Sequence, residues 1–252
     1  MFKTICGKND HVPKYHCLGG SKQEGLALQN LQARLRLTLS YYYAQLVAAL
    51  RGGGSLLVIA TGNCDEGLSG YFTKYDCSSG DLNPIGSICK NDLRRFVKHV
   101  MNSYNLDKES INAYFKKITS LFFIIICRIL GATPAAELEP GTTDYEQTDE
   151  ADMGITYEEL EIFGKLRSTG RCGPYSMFNR LRASHPNTPA KDHYARVAFF
   201  FRKYSINRHK MTTLPPSYHA MSSSPDDNRF DLRPFLYGQW SWQFKRIEKD
   251  LN

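Results

Sequence analysis

Residues 62 to 86 read GNCDEGLSGYFTKYDCSSGDLNPIG. Asp65, Glu66, Asp76 and Asp81 bring carboxylates into this stretch, Lys74 brings a cation, and Lys90 follows just downstream. Magnesium takes one or two carboxylates and completes its shell with water and phosphate oxygens. Lysine is a compact charge suited to phosphate. Gly62, Gly67 and Gly70 let backbone approach a ligand closely. Together these residue types suit a metal-bound nucleotide. The competing reading is a polar loop with ordinary surface ion pairs.

Such a stretch must be held by something. Leu28, Leu31, Leu35, Leu39, Tyr42, Leu46 and Leu50 recur at steps of three or four, which predicts a helix over 25–50 with one apolar face. Asn30, Arg34, Tyr41 and Gln45 fall on a neighbouring polar stripe, which on its own reads as a solvated face. RGGGS at 51–55 ends that helix. LLVIA at 56–60 is a short continuous apolar run, as expected of a parallel strand buried on both faces. Helix, tight turn, buried strand and polar loop make an α/β sheet, and such sheets bind ligands beyond the carboxyl ends of their strands. The polar stretch lies at that point.

Further helices are expected from Lys90, from Thr156 with its Thr156/Glu159 capping pattern, and from His193 to about Lys203. Residues 142–154 and 184–192 read as an acidic loop and a linker, and the Pro/Ser-rich end as an irregular surface wrap. ITSLFFIIIC at 118–127 is far too short for the roughly 20 residues of a membrane span.

The whole chain, 252 residues with 42% apolar and 23% charged, suits one large or two small globular domains. A net charge of +7 permits anionic partners. No block of like charge and no basic patch with exposed aromatics marks a nucleic-acid module. Seven cysteines without a C-x-x-C fit a reducing, cytoplasmic setting better than a disulfide framework. Cys6, His11, His16 and Cys17 match no standard zinc spacing.

TGNCDEGLSGYFTKYDCSSGDLNPIGSICKNDL resembles the signature of glutamine-dependent NAD⁺ synthetases. The likeness continues in LQNLQAR at 28–34, AAELEP at 135–140, QTDEADMGITYEEL at 147–160, KYSINRHKM at 203–211 and SPDDNRFDLRPFLY at 224–237. It implies an adenine-nucleotide alpha-hydrolase-like (Rossmann-like) parallel sheet with flanking helices, N-terminally incomplete. A divergent segment over 1–24, a partial NAD synthetase domain over 25–217 and an irregular wrap over 218–252 would follow. The implied reaction builds NAD⁺ from deamido-NAD, ATP and glutamine-derived ammonia through an adenylated intermediate. It needs Mg²⁺, with ATP as co-substrate and no membrane, and the family's synthetase domains pair as dimers with the long helix near the interface. Tyr41, Tyr42 and Tyr43 would suit such an interface, although aromatics at helical spacing are more often core.

Carried across position by position, the resemblance makes Glu66 the Mg²⁺ carboxylate and Thr61 and Lys90 the ATP contacts. Asn30, Arg34, Lys74, Asp81, His209 and Lys210 become contacts to deamido-NAD. No catalytic residue is assigned. Two departures stand out. A Ser-Gly-Gly-x-Asp-Ser loop, which in the family cradles pyrophosphate, is absent from these residues, as is the nitrilase-like glutaminase domain; the resemblance implies that both lie upstream of Met1. Ala135 stands where the family carries a threonine, and 118–131 is more apolar than its counterpart, as a retained intron or a divergent helix would be. The isolated chain is therefore expected to be poorly stable and inactive alone. The alternative reading is a truncated, inactive paralogue that binds dinucleotide or dimerises with the full-length enzyme.

Overall fold

A computed structural model of the chain describes residues 11–103, 130–135, 138–140, 148–220, 233–236 and 240–251. Most of the apolar run at 118–131 and the SPDDNRFD part of the last family-like stretch lie outside them.

Among the described residues the architecture is helical. The long helix α1 (Lys22–Leu50) opens on a capping box, in which Ser21 accepts from the Glu24 amide and Glu24 accepts from the Ser21 amide. It is the predicted helix, begun three residues earlier. A short helix α2 (Cys64–Ser69) follows, then α3 (Lys90–Ser103). Residues expected as an acidic loop include α4 (Asp149–Met153), which Thr148 caps through its side chain. α5 (Tyr157–Ser168) starts on the predicted Thr156/Glu159 box. α6 (Pro174–Ser184) and α7 (Ala190–Asn207) complete the main bundle, and α7 extends four residues past the expected end before a 3₁₀ turn, Arg208–Thr213. The C-terminal stretch expected to be irregular carries α8 (Arg233–Leu236) and α9 (Ser241–Leu251). Ile247 on α9 is completely buried, so that helix is part of the core rather than a wrap.

The core lies between α5, α6, α7 and α9. Phe163, Phe178, Phe200, Phe201 and Tyr204 are each at most 3% exposed there. Phe163 meets Phe200 edge-on at 5.3 Å, and Trp240 closes over Phe201 at 4.7 Å. Burial of each such ring stabilises the fold by roughly 1.5–3 kcal/mol. Leu68 joins α2 to this cluster.

Two expectations fail here. The LLVIA segment is not a strand buried on both faces. Leu56, Leu57 and Ile59 are about half exposed or more, and the segment makes a single parallel bridge, Ile59 to Leu82. Parallel sheets occur with both faces covered, and among the described residues this segment pairs only with the short 81–83 segment. The apolar stripe of α1 is not its buried face either. Leu31, Leu35, Leu39 and Tyr42 are exposed, whereas Gly25, Ala33, Leu37 and Ala48 turn inward. The loop at 73–74 meets the helix beside Ala33, through the Asn30–Thr73 and Arg34–Lys74 contacts, and Gly25 lies against His16. No helix among the described residues is long and apolar enough to cross a membrane.

Candidate active site

The polar stretch from 62 to 78 folds into one wall of an open cleft of about 570 Å³. Asn63 starts α2, its side-chain oxygen accepting from the amides of Asp65 (2.9 Å) and Glu66 (3.0 Å). Glu66 reciprocates, accepting from the Asn63 amide at 3.1 Å and from its side-chain nitrogen at 2.6 Å. This reciprocal cap holds the Glu66 carboxylate over the cleft rather than leaving it to a flexible loop. The Lys90 ammonium stands 4.0 Å from Glu66 and 5.5 Å from the centre of the Tyr157 ring. Burial pushes the Glu66 carboxyl up to about 7, against the pull of Lys90, with Asp149 and Asp65 adding to the rise.

Asp65 has a different task. It is 2% exposed, and one oxygen accepts the Lys90 amide at 2.8 Å, at the start of α3. Burial lifts it to about 6, partly offset by that bond. Asp65 thus fixes where α3 begins, and with it the root of Lys90.

The opposite wall comes from α1 and the Arg208–Thr213 turn. Asn30 accepts from the Thr73 hydroxyl at 2.7 Å, and Arg34 donates to the Lys74 carbonyl at 3.1 Å. His209 stacks near Phe235 at 5.1 Å. Lys210 donates to the carbonyls of Gly70 (2.7 Å) and Phe72 (2.8 Å), and burial lowers its pKa. Asn207 donates to the Ser69 carbonyl at 2.9 Å, and Arg208, itself buried, donates to the Leu68 carbonyl at 3.3 Å. The side chains of Asn207, Arg208 and Lys210 therefore hold the C-terminal end of α2 and the chain just beyond it. Gly70 ends that helix at φ 70°, and a Cβ there would lie 2.2 Å from the Asn207 Cβ, so only glycine fits.

Of the expected site residues, Asn30, Arg34, Thr61, Glu66, Lys74, Lys90, His209 and Lys210 line this one cleft. Asp81 is not among the lining residues. Its carboxylate instead accepts from the Val58 amide at 2.8 Å and the Tyr41 hydroxyl at 3.0 Å, tying the 56–60 segment to α1. Asp76 lines the cleft while accepting from the amides of Thr73 and Ser78. Asp149 and Tyr71 also line it, and neither was singled out from sequence. Asp149 sits in a run of acids that reads as a solvated loop; the Thr148 cap was its available signal.

A cleft with a capped carboxylate, five cations (Arg34, Arg36, Lys74, Lys90 and Lys210) and close glycine backbone suits an anionic ligand bearing phosphate. The profile of the NAD synthase family matches residues 9–171. The chain is 49% identical over 254 residues to the glutamine-dependent NAD(+) synthetase of Saccharomyces cerevisiae, covering 99% of this chain and 33% of that protein. It is 48% identical over 258 residues to the Mus musculus glutamine-dependent NAD(+) synthetase, covering all of this chain and 32% of that one. Its backbone superposes on the crystal structure of a glutamine-dependent NAD(+) synthetase from Cytophaga hutchinsonii with a TM-score of 0.54 at 20% identity, over 94% of this chain and 33% of that one, a likeness of fold. The chain belongs to the NAD synthase family. It spans about a third of the length of the curated relatives it matches.

Proposed function

We propose that this chain is the synthetase part of a glutamine-dependent NAD⁺ synthetase. In this reading ATP adenylates the carboxylate of deamido-NAD, pyrophosphate leaves, and ammonia derived from glutamine then displaces AMP. The observation that carries it is the convergence of Glu66, Lys90, Arg34, Lys74 and Lys210 on one cleft. A carboxylate is a poor acyl donor, and the mixed anhydride makes it reactive. The protein's share is positioning and charge neutralisation.

Lys90 and Thr61 would meet ATP. Asn30, Arg34, Lys74, His209 and Lys210 would hold the dinucleotide, while Asp81 would act at one remove by bracing the segment that ends in Thr61. The donor set also fits a hard cation, because a buried carboxylate oxygen of Asp149, beside Glu66 in the cleft lining, has no hydrogen-bond partner among the described residues. Glu66 would hold Mg²⁺, which screens phosphate charge when bound. The parallel bridges Ile59–Leu82 and Asn83–Ser217 support the parallel sheet of an adenine-nucleotide alpha-hydrolase-like fold. The exposed stripe of α1 supports a homo-oligomer. Free thiols at Cys17, Cys64, Cys77, Cys89 and Cys172 accord with a reducing cytoplasm.

The test is calorimetric titration of the chain with deamido-NAD, alongside deamido-NAD-dependent exchange of labelled pyrophosphate into ATP. Saturable binding that Arg34→Ala and Lys74→Ala weaken supports the reading. No binding and no exchange would refute it. Exchange by the chain alone would overturn the expectation that it is inactive without a Ser-Gly-Gly-x-Asp-Ser loop.

A further inference from the structure

Three lysines line the cleft, and they are held differently. Lys90 stands beside Glu66, and Lys210 is bonded to two carbonyls. The Lys74 ammonium has no such partner: among the described residues no hydrogen bond or ion pair reaches its Nζ. What it has is a ring. Nζ lies over the face of Tyr75, 5.6 Å from the centroid, within the range of a cation–π contact.

The backbone beneath this pair is unusual. The Asp76 amide donates to the Thr73 carbonyl at 3.0 Å, which makes Lys74 and Tyr75 the central residues of a β-turn. Tyr75 has φ 68° and Lys74 does not share the positive sign, the pattern of a type II turn. The third position of such a turn calls for glycine or asparagine. A tyrosine there is strained, because its Cβ crowds the backbone in the left-handed region. Burial of the ring does not offset the strain, since Tyr75 is 57% exposed. The turn is imposed on it from both ends. Asp76 Oδ2 accepts the Thr73 amide at 3.0 Å, and Oδ1 accepts the Ser78 amide at 2.9 Å. On the α1 side, the Thr73 hydroxyl donates to Asn30 at 2.7 Å and Arg34 donates to the Lys74 carbonyl at 3.1 Å. A strained residue that its surroundings over-determine points to function. Here the strain keeps an aromatic ring beside an ammonium that no polar partner fixes.

We propose that Tyr75 is a positioning residue for Lys74, its ring holding the ammonium where it meets an anionic group of the dinucleotide. This rests on the reading of the cleft as a deamido-NAD site. Lysine is a point charge on a flexible four-carbon stem, and it loses rotamer freedom on binding phosphate. A ring that holds the stem in place beforehand reduces that loss. A ring that merely supported the turn would show itself differently: replacing it would weaken the fold.

The experiment compares the full chain as wild type, Tyr75→Phe and Tyr75→Asn. Asparagine tolerates the left-handed φ and brings no ring. The lysine side-chain methylenes are followed by NMR, with the Lys74 signal assigned by its loss in Lys74→Met. Its Hε protons should be shifted upfield by the ring in wild type and Tyr75→Phe, and the shift should vanish in Tyr75→Asn. An unshifted Lys74 signal in wild type overturns the proposal, whether or not a ligand binds. Calorimetric titration with deamido-NAD should show affinity kept in Tyr75→Phe and lowered about two- to fivefold in Tyr75→Asn. The urea midpoint of Tyr75→Asn should equal that of wild type or exceed it. On a Lys74→Met background Tyr75→Asn should cost no further affinity, because the ring acts only through that lysine. Undiminished affinity in Tyr75→Asn, a lowered urea midpoint, or an additive loss on the Lys74→Met background would each overturn the proposal. A wild type that shows the ring-shifted signal yet ignores deamido-NAD would sink the deamido-NAD reading and leave the hold of Tyr75 on Lys74 standing.

Discussion

At the scale of single residues, the cleft separates side chains that reach a ligand from those that hold the reachers in place. Glu66 is capped by Asn63 on both oxygens and remains beside Lys90. Glu66→Gln removes the charge and one of the two acceptor oxygens, so one of the two Asn63 donors loses its partner. Under the proposed reaction, the substitution is expected in the intact enzyme to lower the adenylation rate by about a hundredfold, the size of effect seen when one well-placed electrostatic group is lost. The melting temperature should stay within a few degrees of wild type. Lys210 carries a double load. Expected from resemblance to touch the dinucleotide, it lines the cleft but gives donors to the Gly70 and Phe72 carbonyls. Lys210→Met leaves both acceptors unpaired, so urea denaturation should show a loss of about 1–3 kcal/mol. Deamido-NAD binding should weaken as well. An undiminished stability would mean that the two carbonyl bonds are incidental.

At the scale of elements, caps decide where helices begin and therefore where their side chains point. The first turn of α1 rests on the Ser21/Glu24 box, with His11 also bonded to Glu24. The Glu24 carboxyl is held down to about 2 from its ordinary 4.5, first by the Ser21 amide and then by His11. A depressed carboxyl contributes stability that is present above its unfolded value and lost as pH falls through its folded one. Amide exchange in the first turn of α1 should therefore quicken as pH drops from about 4.5 to 2, beyond the intrinsic pH dependence of exchange. Glu24→Gln should remove that excess. The other decisive element end is Gly70. Gly70→Ala combines a left-handed φ with a clash against Asn207, and should destabilise by about 2 kcal/mol or more. A neutral result would show that the α2 terminus can shift away from the Asn207–Lys210 turn.

At the scale of the molecule, one face is unfinished. Leu31 is 55% exposed, Leu35 49%, Leu39 51% and Tyr42 57%, in a row along α1. Apolar patches of this kind on a soluble domain mark contacts. Tyr42 and Tyr43 are exposed and pack edge to face at 5.6 Å, whereas Tyr41 is already committed to Asp81. If α1 joins two copies, Leu35→Glu with Leu39→Glu should convert a self-associating chain to monomers in sedimentation velocity, with circular dichroism unchanged. Association that persists in the double variant would move the contact elsewhere.

Local rules made much of this protein legible from its residues. The helix over 25–50, the Thr156/Glu159 box and the helix from Lys90 all follow from side chains within a few positions of one another, which is the range of capping and helical periodicity. The cleft cast was also legible, because carboxylate, lysine and glycine in 62–74 carry chemistry that does not depend on their neighbours. What escaped depended on distant partners. Whether the apolar stripe of α1 is covered is set by what packs on it, and whether the LLVIA run is a buried strand is set by which segments pair with it and cover its faces. Asp81 turns from cleft to brace because Val58 and Tyr41 reach it first. Asp149 becomes a buried acid because Tyr157 and Pro134 fold over it. Residue type and short-range spacing determined the kind of chemistry; burial and partner choice, which depend on chain segments meeting across long separations, were decided only by the tertiary structure.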